Sequence, residues 1–262
     1  MINDSPLYDS DTERLDEINE NLSLIQKKTG LTFGTDSYLL SAFTHTKKSG
    51  RAVELGGGTG VVSLLAASRN KYKKIYCAEI QKYFADLISR NAALNNLSDK
   101  VVPIFTDVRE LTDTSIGGEI ESVFSNPPYM AVGSGKASVS PEMDIARREL
   151  NGTIDDFSRA ASRLLKFGGY FTVVYRPERF SELLFSMKSY SLEPKRAVLV
   201  YPSVDDKPCL VLVEAKKGGS PGLEFSRPLI IYEDKKSGRY TQDMDAVYEN
   251  FSLDFLFKKK RS

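Results

Sequence analysis

Apolar positions along the chain gather into short runs separated by amphipathic stretches. Arg51–Leu55, Lys74–Ile80, Val101–Phe105 and Ile120–Phe124 have strand length and are bounded by polar residues. Tyr170–Tyr175, Ala197–Tyr201 and Cys209–Ala215 continue the series. Between the runs the period changes. Gln81–Asn95 repeats Phe84, Leu87, Ile88 and then Ala92 or Leu94 at helical spacing. Asp36–Phe43, Gly60–Arg69, Thr153–Lys166 and Arg179–Ser189 also read as helices, and the pair Gly168–Gly169 is the expected stop for the Thr153 helix. Strands alternating with helices predict an α/β fold whose mostly parallel sheet is covered on both faces. The last two strands flank a turn carrying Asp205, Asp206 and Pro208, so they read as a hairpin that adds one antiparallel strand.

The ends are less regular. Residues 1–20 are acidic and predict a frayed start, and residues 22–28 fit one short strand or helix. Residues 217–262 hold loops and a short extended piece, Leu229–Tyr232. The expected organisation is an N-terminal extension over 1–30, one domain over 31–216, and a C-terminal extension over 217–262 packed on that domain.

Composition narrows the chemistry. A net charge of +1 over 262 residues gives no wholesale attraction to polyanions, so a nucleic-acid partner needs a local patch. Lys258–Lys259–Lys260–Arg261 offers one, or is simply a solvated tail. Cys77 and Cys209 lie in apolar runs, which predicts buried, reduced thiols. His45 is the single histidine. That argues against a zinc site, and with no G-x-S-x-G elbow it argues against a serine-histidine triad, so no metal is expected. No run of about 18 apolar residues and no signal-like start is present, and the expected location is cytoplasmic.

The sequence ELGGGTG, Glu54–Gly60, follows the first of the seven strands and opens a helix. It fails the dinucleotide pattern G-x-G-x-x-G, because Val61 or Thr59 falls on a required glycine, and no P-loop lysine follows. It fits [D/E]-x-G-x-G-x-G through Glu54, Gly56, Gly58 and Gly60. A carboxylate at Glu54 suits a ligand bearing ammonium and sulfonium charges, whereas a phosphate disfavours it. That ligand is S-adenosylmethionine. Glu79 ends the second strand and is placed to accept from ribose hydroxyls. Asp107 ends the third and is placed to accept from an adenine amino group, with the Val108 NH nearby. Alone, either acid is an ordinary strand-end residue; their position on consecutive strands after the turn gives them weight.

Asn126–Pro127–Pro128–Tyr129 ends the fourth strand. A nitrogen on an adenine or a primary amide has a delocalised lone pair and is a poor nucleophile. Two acceptors aimed at its hydrogens, the Asn126 side-chain oxygen and the Pro127 carbonyl, localise that lone pair and bind more strongly as charge develops. The prolines fix φ and add no competing donor, and the Tyr129 ring can stack on a planar group. A proline-rich turn after a strand is otherwise common.

Taken together, ELGGGTG, Glu79, Thr106–Val108 and NPPY resemble the amino methyltransferases of the class I, Rossmann-like fold. These act on adenine N6, guanine N2 or the glutamine of release factors. FGTDSYLLSAF (33–43), VYRPERF (174–180) and PLIIYEDKKSGRYT (228–241) are similar to the bacterial tRNA(Val) adenine-N6 methyltransferase family, over roughly residues 15–245. The resemblance implies S-adenosylmethionine as cofactor, tRNA as partner and adenosine 37 as target. It implies a catalytic Asn126, Pro127 and Tyr129, and a lid from Phe33, Thr35 and Asp36, although Thr35 or Asp36 also suits a plain helix N-cap. RNA contact is expected at Pro128, Arg147, Arg148, Arg176 and Arg179, with surface ion pairs the simpler reading of the arginines. Glu54 replaces the family's usual Asp. A release-factor glutamine methyltransferase is the rival with the same chemistry; only about 50 residues precede the turn, which disfavours its helical N-terminal domain. A non-catalytic cofactor or RNA-binding module is the rival of another class.

Overall fold

The computed structural model describes residues 8–29, 33–128 and 152–258. Its described part starts with an antiparallel hairpin: β1 (Glu13–Asn19) lies where a frayed start was expected, and β2 (Leu22–Lys27) is the strand alternative for residues 22–28. The acids there are partnered. Glu13 is buried, and Arg90 donates to it through both terminal nitrogens at 2.8 Å, with the Tyr83 hydroxyl at 2.6 Å. Those bonds hold its carboxyl down at about 2. Asn91 and Asn95, close to Arg90 in sequence, bond the backbone of Ile25 and Ser23.

The elements that follow are α1 (Thr35–Phe43), β3 (Lys47–Leu55), α2 (Val61–Ser68), β4 (Tyr72–Glu79), α3 (Lys82–Leu94), β5 (Val101–Phe105) and β6 (Ile120–Ser125). Beyond residue 151 come α4 (Ile154–Leu164), β7 (Leu165–Tyr175), α5 (Phe180–Ser189), β8 (Leu192–Tyr201) and β9 (Leu210–Lys217). Two short strands, β10 (Glu224–Phe225) and β11 (Leu229–Ile230), run parallel to β8 on its outer edge. The main sheet therefore has the order β10-β8-β9-β7-β6-β3-β4-β5 with β11 also on β8. Strands β3 to β7 pair in parallel, and β9 is antiparallel to β7 and β8, as the hairpin pattern predicts.

Alternation along each strand divides the core in two. Ala52, Phe124 and Leu212 face the layer of α1, α2 and α3, while Val53, Val123 and Val213 face α4 and α5. All six are fully buried, as expected for a sheet covered on both sides. Cys77 is buried as expected, but Cys209 is only half-buried, just ahead of β9.

Two further expectations change. The helix over α4 stops at Leu164 and gives way directly to β7, so Gly168–Gly169 is not its cap. Instead the pairing jumps from Ile120↔Leu165 to Ser122↔Tyr170, and the glycines serve that bulge. Gly168 has φ +80°, and a Cβ on Gly169 would lie 3.0 Å from two carbonyl oxygens. The C-terminal residues also hold more than loops. A hairpin of β12 (Tyr232–Asp234) and β13 (Arg239–Tyr240) leads into α6 (Gln242–Asn250), which buries Met244 and Val247 in the same cluster as Tyr38.

Among the described residues no helix is long and apolar enough to cross a membrane, and no three His, Cys, Asp or Glu gather as a metal would need.

Candidate functional site

Because β3, β4, β5 and β6 are mutually parallel, their carboxyl ends share one edge of the sheet. The strand order reverses at the β3–β6 boundary, where ligands sit in such sheets. Ser125 pins the two ends together by donating to the Leu55 carbonyl at 2.7 Å. The glycine turn lies there. Gly56, Gly58 and Gly60 all have positive φ (73°, 54° and 81°), which explains the three motif glycines. Gly57, outside the motif, is required by packing: a Cβ there would lie 2.1 Å from the Cys77 sulfur. A Cβ on Gly58 would meet nothing within 4 Å, so the turn presents bare backbone to open space.

Glu54 is 2% exposed. Its Oε2 accepts from the Ser63 NH at 3.0 Å, from the Ser63 hydroxyl, and from the Cys77 thiol at 3.4 Å. It thus tethers the first turn of α2, a structural task its motif position does not suggest. Burial, partly offset by those bonds, pushes its carboxyl up to about 7. Glu79 is also buried. Gly58 NH donates to one of its oxygens at 2.9 Å and Gln81 NH to the other at 2.8 Å, which fixes the carboxylate against the turn. Burial raises its pKa despite these bonds.

Asp107 sits just past β5 with an unexpected partner. Arg109 grips both oxygens, through Nε at 3.0 Å to each and Nη2 at 2.5 Å, and its bonds lower the Asp107 pKa. Val108 is buried, and its carbonyl accepts from Arg163 at 3.1 Å.

Asn126 leaves the end of β6 and meets the start of α1. Its amide nitrogen donates to Asp36 Oδ2 at 2.9 Å. A carboxylate only accepts, so this contact decides the amide's orientation: nitrogen toward Asp36, oxygen away from it. The helix N-cap is Gly34, neither Thr35 nor Asp36. Asp36 uses its other oxygen to accept from the Ser37 NH at 2.7 Å. A Cβ at Gly34 would lie 2.8 Å from Asp36 Oδ1, so a side chain there would displace that carboxylate. The Phe33 NH is held by Gln26 Oε1 at 2.8 Å, so β2 anchors this turn. Thr35 is the first residue of the helix and is half-buried, as are Asn126 and Pro128; Pro127 is buried.

The structure thus brings Asp36, Glu54, Gly56, Gly58, Gly60, Glu79 and Asn126 to one edge. Tyr129, Arg147 and Arg148 lie outside the described residues, as do Lys259–Arg261. Arg179 pairs with Glu182 at 2.5 Å along its own helix, and Arg176 donates to the Cys209 carbonyl at 3.3 Å. The Arg179 contact is a surface ion pair of the kind the simpler reading expects, whereas the Arg176 contact is to a backbone carbonyl. Sequence reading missed Ser63, Gly57, Arg109 and Asn91. Asn91 is fully buried and ties the Thr59 carbonyl of the turn (3.0 Å) to β2. An Asn at a buried helical position in α3 was the available signal.

With this geometry in view, a family model described as Methyltransferase small domain matches residues 28–188. The chain belongs to the methyltransferase small-domain family. The family match runs from before α1 to the end of α5. A Bacteroides fragilis protein named tRNA1(Val) (adenine(37)-N6)-methyltransferase is 27% identical over 173 residues, 66% of this chain and 72% of its own. A Parabacteroides distasonis protein of the same name is 25% identical over 227 residues, 86% and 92% of the two chains. Among solved structures, a predicted O-methyltransferase from Agrobacterium tumefaciens matches with a TM-score of 0.66 at 21% identity, over 83% of this chain and 97% of that one. TYW2 of M. jannaschii, solved with AdoMet, matches at 0.53 and 16% identity over 80% and 87%. These structural likenesses show the fold: a class I methyltransferase sheet, mostly parallel with the antiparallel strand β9.

Proposed function

We propose that this methyltransferase transfers the methyl of S-adenosylmethionine to N6 of an adenosine in tRNA, position 37 of tRNA(Val). The observation that carries the reading is the Asn126 amide, whose nitrogen is held by Asp36 so that its oxygen is left as an acceptor beside the glycine turn.

The residues present fit the cofactor. Gly58 offers bare backbone facing open space, and Glu79 is fixed beside it with one NH on each oxygen, leaving lone pairs for two hydroxyls. When bound, S-adenosylmethionine supplies a methyl group on a positively charged sulfur, ready for a nucleophile. Glu79 would hold the ribose and the glycine turn the chain bearing the sulfur. Glu54, whose carboxyl burial pushes up to about 7 when nothing cationic is beside it, would ionise more readily next to a cation. Asp107 would accept from the adenine amino group once Arg109 gives up part of its grip.

On the substrate side, the Asn126 oxygen and the Pro127 carbonyl would accept the two hydrogens of the target amino group. Both acceptors are preorganised, Asn126 by Asp36 and Pro127 by its ring and burial, so little reorganisation accompanies reaction. As the nitrogen bonds to carbon its hydrogens grow more acidic and these contacts tighten, which lowers the barrier selectively. The adenosine must leave its stack to reach them.

The names of the two relatives support adenosine over glutamine, since the acceptor pair alone serves either nitrogen. Incubation with labelled S-adenosylmethionine and unmodified tRNA, release factor or DNA tests the choice. Label in tRNA is expected. Label only in release factor would assign the glutamine chemistry, and none in any substrate would favour a binding module.

A further inference from the structure

A cavity of about 420 Å³ opens at the turn that leads into α1. Its walls include Ile18, Phe33, Thr35, Tyr38, Arg69, Tyr240 and Tyr248. None of the motif glycines, Glu79, Asp107 or Asn126 lines it. Its size is that of a small-ligand site.

The lining has a definite chemistry. Tyr240, Tyr248 and Tyr38 line it with centroid spacings of 5.3 and 4.7 Å, and behind them Tyr232 packs on Tyr240 and Phe251 on Tyr38, each at 5.2 Å. The Arg69 guanidinium lies 5.2 Å from the Phe251 ring, is exposed, and pairs with no carboxylate among the described residues. Aromatic faces beside an unpaired guanidinium suit a planar base carrying a phosphate: the rings stack on the base, and the guanidinium takes the phosphate oxygens. An acidic or purely apolar ligand would use only half of these groups.

Position selects the source of that nucleotide. Thr35 lines the cavity, and the next residue, Asp36, bonds Asn126. A chain that offers an amino group to Asn126 therefore passes over the start of α1, and an adjoining nucleotide is the group within reach. We infer that this cavity binds one unstacked nucleotide of the RNA substrate, next in sequence to the methylated adenosine. The inference rests on the RNA reading above and adds a second base-binding site to it. β13 and α6, which supply Tyr240 and Tyr248 to the cavity, thereby gain a function as part of the RNA grip.

The test uses the full-length protein and an anticodon stem-loop RNA in which each loop nucleotide beside the target is made abasic in turn. With wild-type protein, one neighbouring abasic change should raise KM by about 5- to 150-fold, the range for loss of one stacked base, with kcat little changed. Tyr240→Ala should raise KM similarly with intact RNA and should make that abasic change silent, because both remove the same contact. Arg69→Ala should flatten the dependence of log affinity on log salt by about 0.7, one single-strand phosphate contact. If no neighbouring abasic change weakens wild-type binding, the inference is overturned, whatever the variants do. It also fails if the Tyr240→Ala and abasic effects simply add. Adenosine and uridine monophosphate, titrated without RNA, form a separate arm. Saturable binding lost in Arg69→Ala, with no abasic sensitivity, would assign the cavity to a free nucleotide instead. Methyl transfer to the intact stem-loop reads the proposed function independently, so the two failures are distinguishable.

Discussion

Replacing Asp36 with alanine isolates the step on which the proposed chemistry depends. Asp36 is expected to act through Asn126, by holding its amide nitrogen at 2.9 Å. A hydrogen bond to a charged acceptor contributes about 1.5–3 kcal/mol. Converted at about 1.4 kcal/mol per factor of ten, that bounds the loss in kcat at roughly 10- to 100-fold. Asn126→Ala, which removes the acceptor itself, should cost about 100- to 1000-fold. The double variant should be no slower than Asn126→Ala alone, since Asp36 has nothing left to orient. Single-turnover methyl transfer to tRNA measures all three, and calorimetric titration of S-adenosylmethionine serves as control. Cofactor affinity should stay near wild type in each variant. Multiplicative losses in the double variant would refute the positioning argument. So would an Asp36→Ala defect confined to cofactor affinity, which would return Asp36 to the lid role that the family resemblance implies.

Three other outcomes follow from the packing and electrostatics around the site. Glu54 has a carboxyl raised from an ordinary 4.5 to about 7, so the folded protein holds a proton between those values that the unfolded chain has released. Its contribution to stability is present below pH 4.5 and is lost as pH rises through 7, by at most about 3 kcal/mol; urea unfolding at pH 5.5 and 8 should show a smaller difference for Glu54→Gln than for wild type, and equal differences would contradict the buried-acid argument. Lys71 is buried and its ammonium donates to the Ser41, Ala42 and Thr44 carbonyls at 2.8, 2.8 and 2.9 Å, closing the end of α1. Lys71→Met should destabilise the fold by on the order of 3 kcal/mol in denaturant unfolding, and a loss below about 1 kcal/mol would mean those carbonyls find other donors. Gly57→Ala drives a Cβ into the Cys77 sulfur, for a cost of about 1–3 kcal/mol; adding Cys77→Ala should restore part of it, and no restoration would place the strain elsewhere.

Much of the fold was legible because its signals are periodic. The strand runs and the amphipathic α3 face two packed layers, and burial of alternate residues enforces the pattern. The N-terminal hairpin was not legible, because its acids read as solvated until Arg90 and Tyr83, more than 60 positions away, are brought beside Glu13. Gly168–Gly169 misled for a related reason: a helix stop and a strand bulge both call for glycine, and only the pairing with β6 distinguishes them. At the site, the motif residues on consecutive strand ends were visible because the chain order of a doubly wound sheet fixes their edge. Their partners were not. Nothing local says that Glu54 serves Ser63, that Arg109 grips Asp107, or that Asp36 orients Asn126 across 90 positions. Those contacts turn a set of motif letters into a geometry with a preferred chemistry.

The central claim, that Asn126 presents its oxygen to an adenine amino group in tRNA, is tested most directly by mapping the product. Unmodified tRNA is incubated with the protein and S-adenosylmethionine carrying a deuterated methyl, then digested, and the labelled nucleoside is identified and placed by mass spectrometry. The expected product is N6-methyladenosine at one position, the adenosine 3′ of the anticodon of tRNA(Val), with Asn126→Ala losing most of it. Label on a ring nitrogen or ring carbon, on guanosine, or undiminished in Asn126→Ala would contradict the account.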